Sequence, residues 1–251
     1  MRYALELAYD GTSYFGWQSQ MNGNTVQQTI ESALQKVLRE EIPVMGCGRT
    51  DTGVHASQYF LHFETEKTLD EKFLFRLNNA LPRDVAVYDC FPVEEKFHAR
   101  FSATYRKYEY HIITRKNPFD WNWAYFRYGD LDIKAMEEAC AYLLTCTDFK
   151  SFSKSRTDVK TYHCDLMECR WEFGPDKLIF HVKADRFLRN MVRAMVGTLL
   201  EIGSGKLKLE ELPEIMRSGN RSNAGTSVPA KGLYLTEIGY DWDKFRLETK
   251  G

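Results

Sequence analysis

The stretch with the clearest potential for chemistry runs from Gly48 to Ala56 and carries a single acid, Asp51. Arg49 lies two residues before the acid and Gly53 two residues after it. Glycine adopts backbone torsions that other residues resist, so this stretch can turn sharply and present the carboxylate. Such a carboxylate can act as a nucleophile or a general base. An aspartate that only caps its own turn has the same spacing, so both interpretations stand at this point.

A group of arginines forms a second candidate site. The apolar spacing from Phe187 to Ile202 predicts a helix. At 100° per residue, Arg186, Arg189 and Arg193 fall within an arc of about 60°, opposite the apolar half. Guanidinium groups on such a face can bind phosphates or a carboxylate, although a solvated basic face is the simpler alternative. Gly197 on the same side would let a second backbone or a ligand approach closely.

A third segment, Phe97 to His111, alternates cations with aromatic rings. Arg100, Arg106 and Lys107 are interleaved with aromatic residues that include Tyr108. Cations for phosphates together with rings for unstacked bases suit contact with RNA. The alternative is a strand with half-buried tyrosines and arginines in water.

The overall charge does not decide the question of an RNA partner. The chain has 34 Lys and Arg residues against 35 Asp and Glu residues, for a net charge of -1. Taken alone, this balance argues against nucleic acid. Phosphate binding depends, however, on whether basic residues cluster on one face.

Composition also bears on the compartment and on metals. No segment reaches the roughly 18 uninterrupted apolar residues of a membrane helix. Glu6 falls where a signal peptide needs apolar residues, so we expect a cytoplasmic protein. The six cysteines contain no C-x-x-C pair and the six histidines are scattered. Free buried thiols are therefore favoured over a zinc site.

Hydrophobic periodicity predicts strands and helices in both halves of the chain. The predicted strands are Tyr3–Tyr9, Gln58–Glu64, Val85–Val93, Thr104–Thr114, Thr161–Phe173, Leu178–Lys183 and Leu233–Tyr240. The predicted helices are Thr25–Glu40 (with Asn24 as its N-cap), Leu69–Leu81, Asp132–Leu144 and Phe187–Ile202. This order favours an α+β protein of two ferredoxin-like (split βαβ) subdomains, residues 1–100 and 101–251, that share a central, mostly antiparallel sheet.

Taken together, these segments resemble the tRNA pseudouridine synthase A family. The Asp51 loop matches the family's G-R-T-D-x-G-V-H-A motif at every position. Arg186 departs from the pattern, which has glycine before Phe187. The other matching segments are Tyr9-Asp10-Gly11, Gly16-Trp17-Gln18, Phe97-His98-Ala99-Arg100-Phe101-Ser102-Ala103, Phe187-Leu188-Arg189-Asn190-Met191-Val192-Arg193 and Ala230-Lys231-Gly232-Leu233-Tyr234-Leu235.

The resemblance implies an enzyme with the pseudouridine synthase fold and an active-site cleft between its subdomains. Such an enzyme isomerises uridine to pseudouridine at positions 38, 39 and 40 of the tRNA anticodon stem-loop. It implies no cofactor and no metal. It also implies a homodimer with one tRNA spanning both subunits, which would collect basic surface from two near-neutral chains.

The resemblance also implies roles for individual residues. Asp51 is the catalytic aspartate, acting as nucleophile or as proton abstractor, and Arg193 pairs with it and favours its charged form. Tyr108 stacks on the target base, which must be flipped out of the stem. Arg49 assists that extrusion. The remaining basic candidates are expected to hold the RNA backbone: Arg100, Arg106, Lys107, Arg186 and Arg189.

Two rival functions fit this sequence less well. Asp51-Thr52-Gly53 is the D-T-G of aspartic proteases, but those enzymes need two such acids sharing a proton. This chain has no second D-T-G or D-S-G. A non-catalytic ferredoxin-like RNA-binding module lacks its usual RNP1 pattern here, and it leaves the Asp51 loop unexplained.

Overall fold

Alternating apolar side chains build the first strand, β1 (Arg2–Tyr9), whose Leu5 and Leu7 are fully buried. This computed structural model describes residues 1–21, 23–154 and 159–247. The remaining strands are β2 (Met45–Gly46), β3 (His55–Glu64), β4 (Val85–Val93), β5 (Tyr105–Ile113), β6 (Tyr125–Phe126), β7 (Leu166–Phe173), β8 (Lys177–Ala184) and β9 (Leu233–Gly239). The helices are α1 (Val26–Leu38), α2 (Phe73–Ala80), α3 (Ile133–Leu143), α4 (Met191–Gly203) and α5 (Leu212–Ser218).

The chain is a mixed α/β protein with mostly antiparallel strand pairs, as the sequence predicts at that level. It divides into two compact units. The first comprises Met1–Thr104 and Tyr234–Gly251, and the second comprises Tyr105–Leu233. The C-terminal stretch therefore belongs with the N-terminal unit, which local periodicity gave no means of anticipating.

In the first unit, β1 lies between β4 and β3 and pairs antiparallel with both. The short β2 pairs antiparallel with the far end of β3. β9 pairs parallel with the start of β3, where His55 lies opposite Tyr234. The start of β3 directly follows the Asp51 loop. Pairing of this start with β1 on one side and with β9 on the other fixes the position of the end of the loop.

The helix α1 confirms the predicted apolar stripe but not its predicted ends. Val26, Ile30 and Leu34 are fully buried, at the spacing that places them on one helix face. The N-cap is Thr25 rather than Asn24, because the Thr25 hydroxyl accepts a hydrogen bond from the Gln28 amide. The helix ends at Leu38, where the next residue is left-handed with φ of 56°.

In the second unit, β8 lies between β5 and β7 and is antiparallel to both. The helix α3 packs against β7 and α4. The predicted strand Thr161–Phe173 starts only at Leu166, because residues before it bond to the loop after α3; the Cys164 amide, for example, donates to Thr147 O at 3.0 Å.

The predicted start of α4 was wrong. Asn190 is left-handed, with φ of 68° and ψ of 2°, so the helix begins at Met191 rather than Phe187. Arg186 and Arg189 therefore lie in the preceding loop, and the arginines form no helical stripe. Ala194 and other residues on the supposed polar side are also buried, so α4 is enclosed on nearly all sides instead of one.

Candidate active site

The Asp51 loop is fixed by backbone hydrogen bonds on both sides of the acid. The Val54 amide donates to Asp51 O at 3.1 Å and closes a turn in which Gly53 has φ of 77°. On the other side of the acid, the Trp17 amide donates to Thr50 O at 3.2 Å. Asp51 is half-buried at the tip of this turn. The carboxylate is thus carried by an ordered backbone, which a catalytic group needs.

Two glycines outside the loop let a second backbone segment press against it. A Cβ at Gly11 would lie 2.0 Å from Val54 O, and a Cβ at Gly16 would lie 2.4 Å from Thr50 O. Gly16 also has φ of 89°, which favours glycine. Both belong to the sequence segments that carry the family resemblance, and this close approach is the physical reason for glycine at each position.

Aromatic side chains support the loop from beneath. The Tyr9 hydroxyl lies 2.8 Å from Thr50 Oγ1, and the Tyr59 hydroxyl donates to Gly48 O. The ring of Tyr59 stacks on Trp17 with centroids 4.1 Å apart. These rings are almost fully buried, so the loop packs against rigid aromatic side chains.

His55 anchors the end of the same loop. Its ring is buried and stacks on Tyr234, with centroids 4.6 Å apart. The Gly11 amide donates to His55 Nδ1 at 3.1 Å, and Asp10 Oδ1 lies 3.0 Å from the same nitrogen. His55 is a support of the loop that the sequence did not single out, although it lies within the motif.

Arg49 lies on the exposed side of the loop. Its Nε donates to Gln18 Oε1 at 3.1 Å, and Gln18 Nε2 donates in turn to Gln27 Oε1 at 2.8 Å. Gln27 also donates to Glu31 at 2.9 Å. These hydrogen bonds connect Arg49 through the loop after β1 to α1 and hold its guanidinium in place. The Arg49 side chain nevertheless remains exposed to solvent.

The Phe97–Ala103 segment is tied into the first unit. The Ala99 amide donates to His62 Nδ1 at 3.1 Å, and the Tyr240 hydroxyl donates to Ala99 O. Burial is the main reason that the pKa of His62 is lowered to about 4, with Arg2 contributing. Arg100 lies in this segment and is exposed, with its guanidinium 5.5 Å from the Phe101 ring centroid.

In the second unit, Arg193 occupies the first turn of α4 and is half-buried. Its Nε donates to Val228 O at 2.8 Å, and the Val228 amide donates back to Arg193 O at 3.2 Å. This reciprocal pair fixes the guanidinium relative to the backbone. The sequence alone gave no sign of a carbonyl partner for Arg193.

The segment Asn220–Val228, called the strap below, is fastened along α4. The Gly225 amide donates to Thr198 Oγ1 at 2.9 Å, and the Thr226 amide donates to Glu201 Oε1 at 2.8 Å. A Cβ at Gly197 would lie 1.8 Å from Thr226 O. Of the two partners considered for Gly197, a backbone or a ligand, the structure places a backbone against it.

Two side chains also donate hydrogen bonds to Ser227, near the C-terminal end of the strap. Asn190 Nδ2 donates to Ser227 Oγ at 2.7 Å, and Arg221 donates to the same oxygen at 2.6 Å. Burial lowers the pKa of Arg221, with Glu201 opposing this effect. The left-handed Asn190 thus both starts α4 and holds the strap near Arg193.

Tyr108 lies in the middle of β5, and its ring meets Phe187 edge-to-face at 5.1 Å and 87°. Tyr110 points to the same face of the strand and is fully buried, and its hydroxyl donates to Pro229 O at 2.7 Å. Burial raises the pKa of Tyr110. The edge-to-face contact with Phe187, which lies in the loop before α4, orients the half-buried ring of Tyr108.

The remaining basic candidates do not form one surface. Arg106 shares the Tyr108 face of β5 and donates to Asp185 O at 3.0 Å. Lys107 points to the opposite face, where its Nζ lies 3.1 Å from Glu168 Oε2. Arg189 is exposed and Arg186 is half-buried, both in the loop before α4.

Two kinds of feature are absent from the described residues 1–21, 23–154 and 159–247. No group of three or more His, Cys, Asp or Glu side chains is arranged to hold a metal ion there. No helix in this part of the chain is both long and apolar enough to cross a membrane.

Comparison with known proteins decides the family. The model of a family described as tRNA pseudouridine synthase matches residues 7–102 and 139–241. The chain belongs to the tRNA pseudouridine synthase family. The matched ranges include the Asp51 loop and α4 with Arg193, so the resemblance drawn from the sequence is confirmed.

Individual relatives agree with this membership. A protein of Parabacteroides distasonis named "tRNA pseudouridine synthase A" is 47% identical over 249 residues, covering 98% of this chain and 99% of its own. A Bacteroides thetaiotaomicron protein of the same name is 47% identical, covering 99% of this chain and 94% of its own. "tRNA pseudouridine synthase A 2" of Clostridium perfringens is 43% identical, covering 94% and 98%.

Similarity to solved structures is weaker. A chain from "Crystal Structure of a Cbf5-Nop10-Gar1 Complex" aligns with a TM-score of 0.33 and 12% identity, covering 93% of this chain and 57% of its own. The assignment to the tRNA pseudouridine synthase family therefore rests on the sequence comparisons.

Proposed function

We propose that this member of the tRNA pseudouridine synthase family isomerises uridine to pseudouridine at positions 38, 39 and 40 of the tRNA anticodon stem-loop. The observation that carries the proposal is the family match across 7–102 and 139–241, which includes both the ordered Asp51 loop and the fixed Arg193. The N1–C1′ bond of the nucleotide breaks, the uracil turns, and C5 bonds to C1′. C5 loses its proton and N1 gains one, so atoms balance without an oxidant or reductant.

In this proposal Asp51 acts on the ribose as a carboxylate. It either attacks the sugar as a nucleophile or abstracts a proton from it. The hydrogen bonds of Thr50 and Val54 hold the loop in one conformation, which supports either role. Because Asp51 is half-buried, its carboxylate has limited contact with water but remains accessible to the substrate.

Arg193 pairs with Asp51 in the proposed mechanism and favours its charged form. The hydrogen bond from Arg193 Nε to Val228 O sets the plane of the guanidinium. A preoriented cation stabilises a charged partner without reorganising during the reaction.

Tyr108 and Arg49 are the residues proposed to contact the target base. The target uridine must leave its stack before C1′ can be reached. Tyr108, whose ring Phe187 orients, stacks on the flipped base. Arg49, tethered through Gln18, assists extrusion from the exposed side of the loop. The other basic residues hold the backbone of the RNA: Arg100, Arg106, Lys107, Arg186 and Arg189.

The wider assembly belongs to the same proposal. The chain works in the cytoplasm as a homodimer with tRNA as its substrate, and without a cofactor or metal. One ferredoxin-like subdomain, predicted from the sequence as residues 1–100, carries the Asp51 loop, and the other, predicted as 101–251, carries Tyr108 and Arg193. The stretch Tyr234–Gly251 belongs with the first of these. The strand order β4-β1-β3, with β2 beside β3, supports a split βαβ arrangement for the first.

The test is release of tritium from tRNA labelled at uridine C5. The wild-type protein releases label, and Asp51→Asn releases none while it still binds tRNA. Asp70→Asn is the matched control, because Asp70 is an exposed acid of the same unit that forms an ion pair with the exposed Arg76. If the wild-type protein binds tRNA but retains all the label, the activity is refuted and the non-catalytic RNA-binding module gains support.

A further inference from the structure

The second unit carries a group of exposed aromatic side chains between β5 and α3. Phe119 and Tyr128 are 81% and 87% exposed, and Trp121 and Trp123 are 46% and 45% exposed. Aromatic residues normally bury most of their surface, and a cluster of them in solvent marks a binding surface. None of these four has a role in the proposed catalytic chemistry.

The same segment is positively charged. Between Arg115 and Tyr128 it contains Arg115, Lys116 and Arg127 against one acid, Asp120, for a local net charge of +2. Arg115 also lies 3.7 Å from Asp176 outside the segment, so the cations of the segment that matter for binding are Lys116 and Arg127. A fourth cation, Lys231, approaches from outside the segment. The Lys231 Nζ lies 4.4 Å from the Trp121 ring centroid. We call Arg115–Tyr128 together with Lys231 the aromatic surface.

The backbone beneath the exposed rings is ordered. Strand β6 pairs with the end of β5, with Tyr125 opposite Ile112. The Trp123 amide donates to Asp120 O at 3.0 Å. Asn117 Oδ1 accepts from the Phe119 amide at 3.0 Å. Rings held on an ordered backbone lose little conformational entropy when they bind a partner.

The aromatic surface is connected to Arg193 through one short stretch, residues 228–232. At one end of it, Val228 O accepts from Arg193 Nε at 2.8 Å. Pro229 O accepts from the hydroxyl of Tyr110, two residues beyond Tyr108 along β5. At the other end, Lys231 Nζ donates to Trp121 O at 2.6 Å. Within the second unit, the surface thus neighbours the residues proposed to act on the substrate.

We propose that the aromatic surface is a second RNA-binding site, which stacks unpaired nucleotides of the substrate's loop on Phe119 and Tyr128 while its cations hold phosphates. Stacking on aromatic rings next to arginine and lysine is how proteins bind single-stranded nucleic acid without reading its sequence. The inference rests on the proposed function for the identity of the RNA.

A second copy of this chain is the competing occupant of the surface. A two-fold interface centred on this surface would place like charges opposite each other, which is costly. A polyanion has the complementary charge, and flat bases complement exposed rings. The charge of the surface therefore favours RNA over a second copy.

The test compares Phe119→Ala, Tyr128→Ala and the double variant, each in an Asp51→Asn background so that binding is measured without turnover. The probe is an anticodon stem-loop RNA with 2-aminopurine in its loop, compared with a fully paired duplex. Each substitution raises Kd for the stem-loop about tenfold and leaves the duplex unaffected. Phe75→Ala is the control, since Phe75 is a 69% exposed aromatic in the first unit.

Sedimentation of the same variants separates the two occupants. Unchanged stem-loop affinity overturns the proposal, and a simultaneous shift to monomer would assign the surface to contact between copies. Both residues are exposed, so the variants are expected to fold, which circular dichroism checks. Because binding is read without catalysis, a negative tritium result would refute the proposed activity and leave this measurement interpretable.

Discussion

Arg193 shows how much a single residue depends on its immediate neighbours. The side chain is half-buried, and its Nε is bonded to Val228 O. Lysine would keep the charge in this position but not the planar fork of donors. The orientation of the guanidinium, as well as its charge, is therefore part of its proposed role beside Asp51.

Arg193→Ala is expected to reduce kcat at least tenfold with little change in tRNA affinity, because its guanidinium is proposed to act on Asp51 and not on the RNA backbone. Arg193→Lys should restore only part of the loss. Single-turnover rates and filter binding with tRNA measure the two effects separately. Arg217→Ala, an exposed arginine paired with Glu214, serves as the control. An equal loss of rate and affinity would make Arg193 a phosphate contact instead.

At the scale of elements, α4 and the strap behave as one assembly. Gly197 admits the Thr226 carbonyl, and Glu201 binds the Thr226 amide. The strap then ends at Val228, the carbonyl that holds Arg193. A change at Gly197, in the second turn of the helix, should consequently affect the position of Arg193.

Gly197→Ala is expected to destabilise the protein by about 1–3 kcal/mol, because a methyl group cannot fit against Thr226 O without moving the strap. It should also lower kcat more than it raises KM. Urea unfolding and steady-state kinetics measure these effects. Glu201→Ala should lower kcat in the same direction, and Glu201→Gln, which keeps an acceptor for the Thr226 amide, should rescue it. Normal kcat in a destabilised Gly197→Ala protein would show that the strap is only structural.

At the scale of the whole molecule, the charge sum hides local clusters. The net charge is -1, yet the segment Arg115–Tyr128 is locally positive and Arg100 is an exposed cation. A homodimer, as proposed, would present two sets of these cations to one tRNA. Such clusters bind phosphates regardless of the overall balance.

Affinity for tRNA is expected to fall steeply with salt. A protein that contacts about six phosphates loses on the order of 10³-fold in affinity between 50 and 200 mM salt. Titrations over a series of KCl concentrations give the slope of log Kd against log salt. Arg100→Ala should reduce that slope by about one if this arginine contacts a phosphate. A flat response in the wild-type protein would refute the proposed contacts between these basic residues and the phosphates of tRNA.

Local sequence was sufficient for the family, the motif around Asp51 and the types of the longer elements, but it did not predict α5 or the short strands β2 and β6. The motif is contiguous, so its nine residues are recognisable without knowing the fold. The stripe of Val26, Ile30 and Leu34 likewise predicts α1, because helical periodicity is a local property.

Only the tertiary structure determined which residues support these features. Periodicity predicted that Arg186 and Arg189 lie on α4, but the helix begins only after the left-handed Asn190. The Asn190 side chain is held by a hydrogen bond to Ser227, which is far along the chain. The buried surroundings of α4, the Val228 carbonyl on Arg193 and the exposure of Phe119 likewise depend on contacts between distant segments. Residue types and spacing determine chemistry and local structure, whereas burial and hydrogen-bond partners are set by packing between segments far apart in sequence.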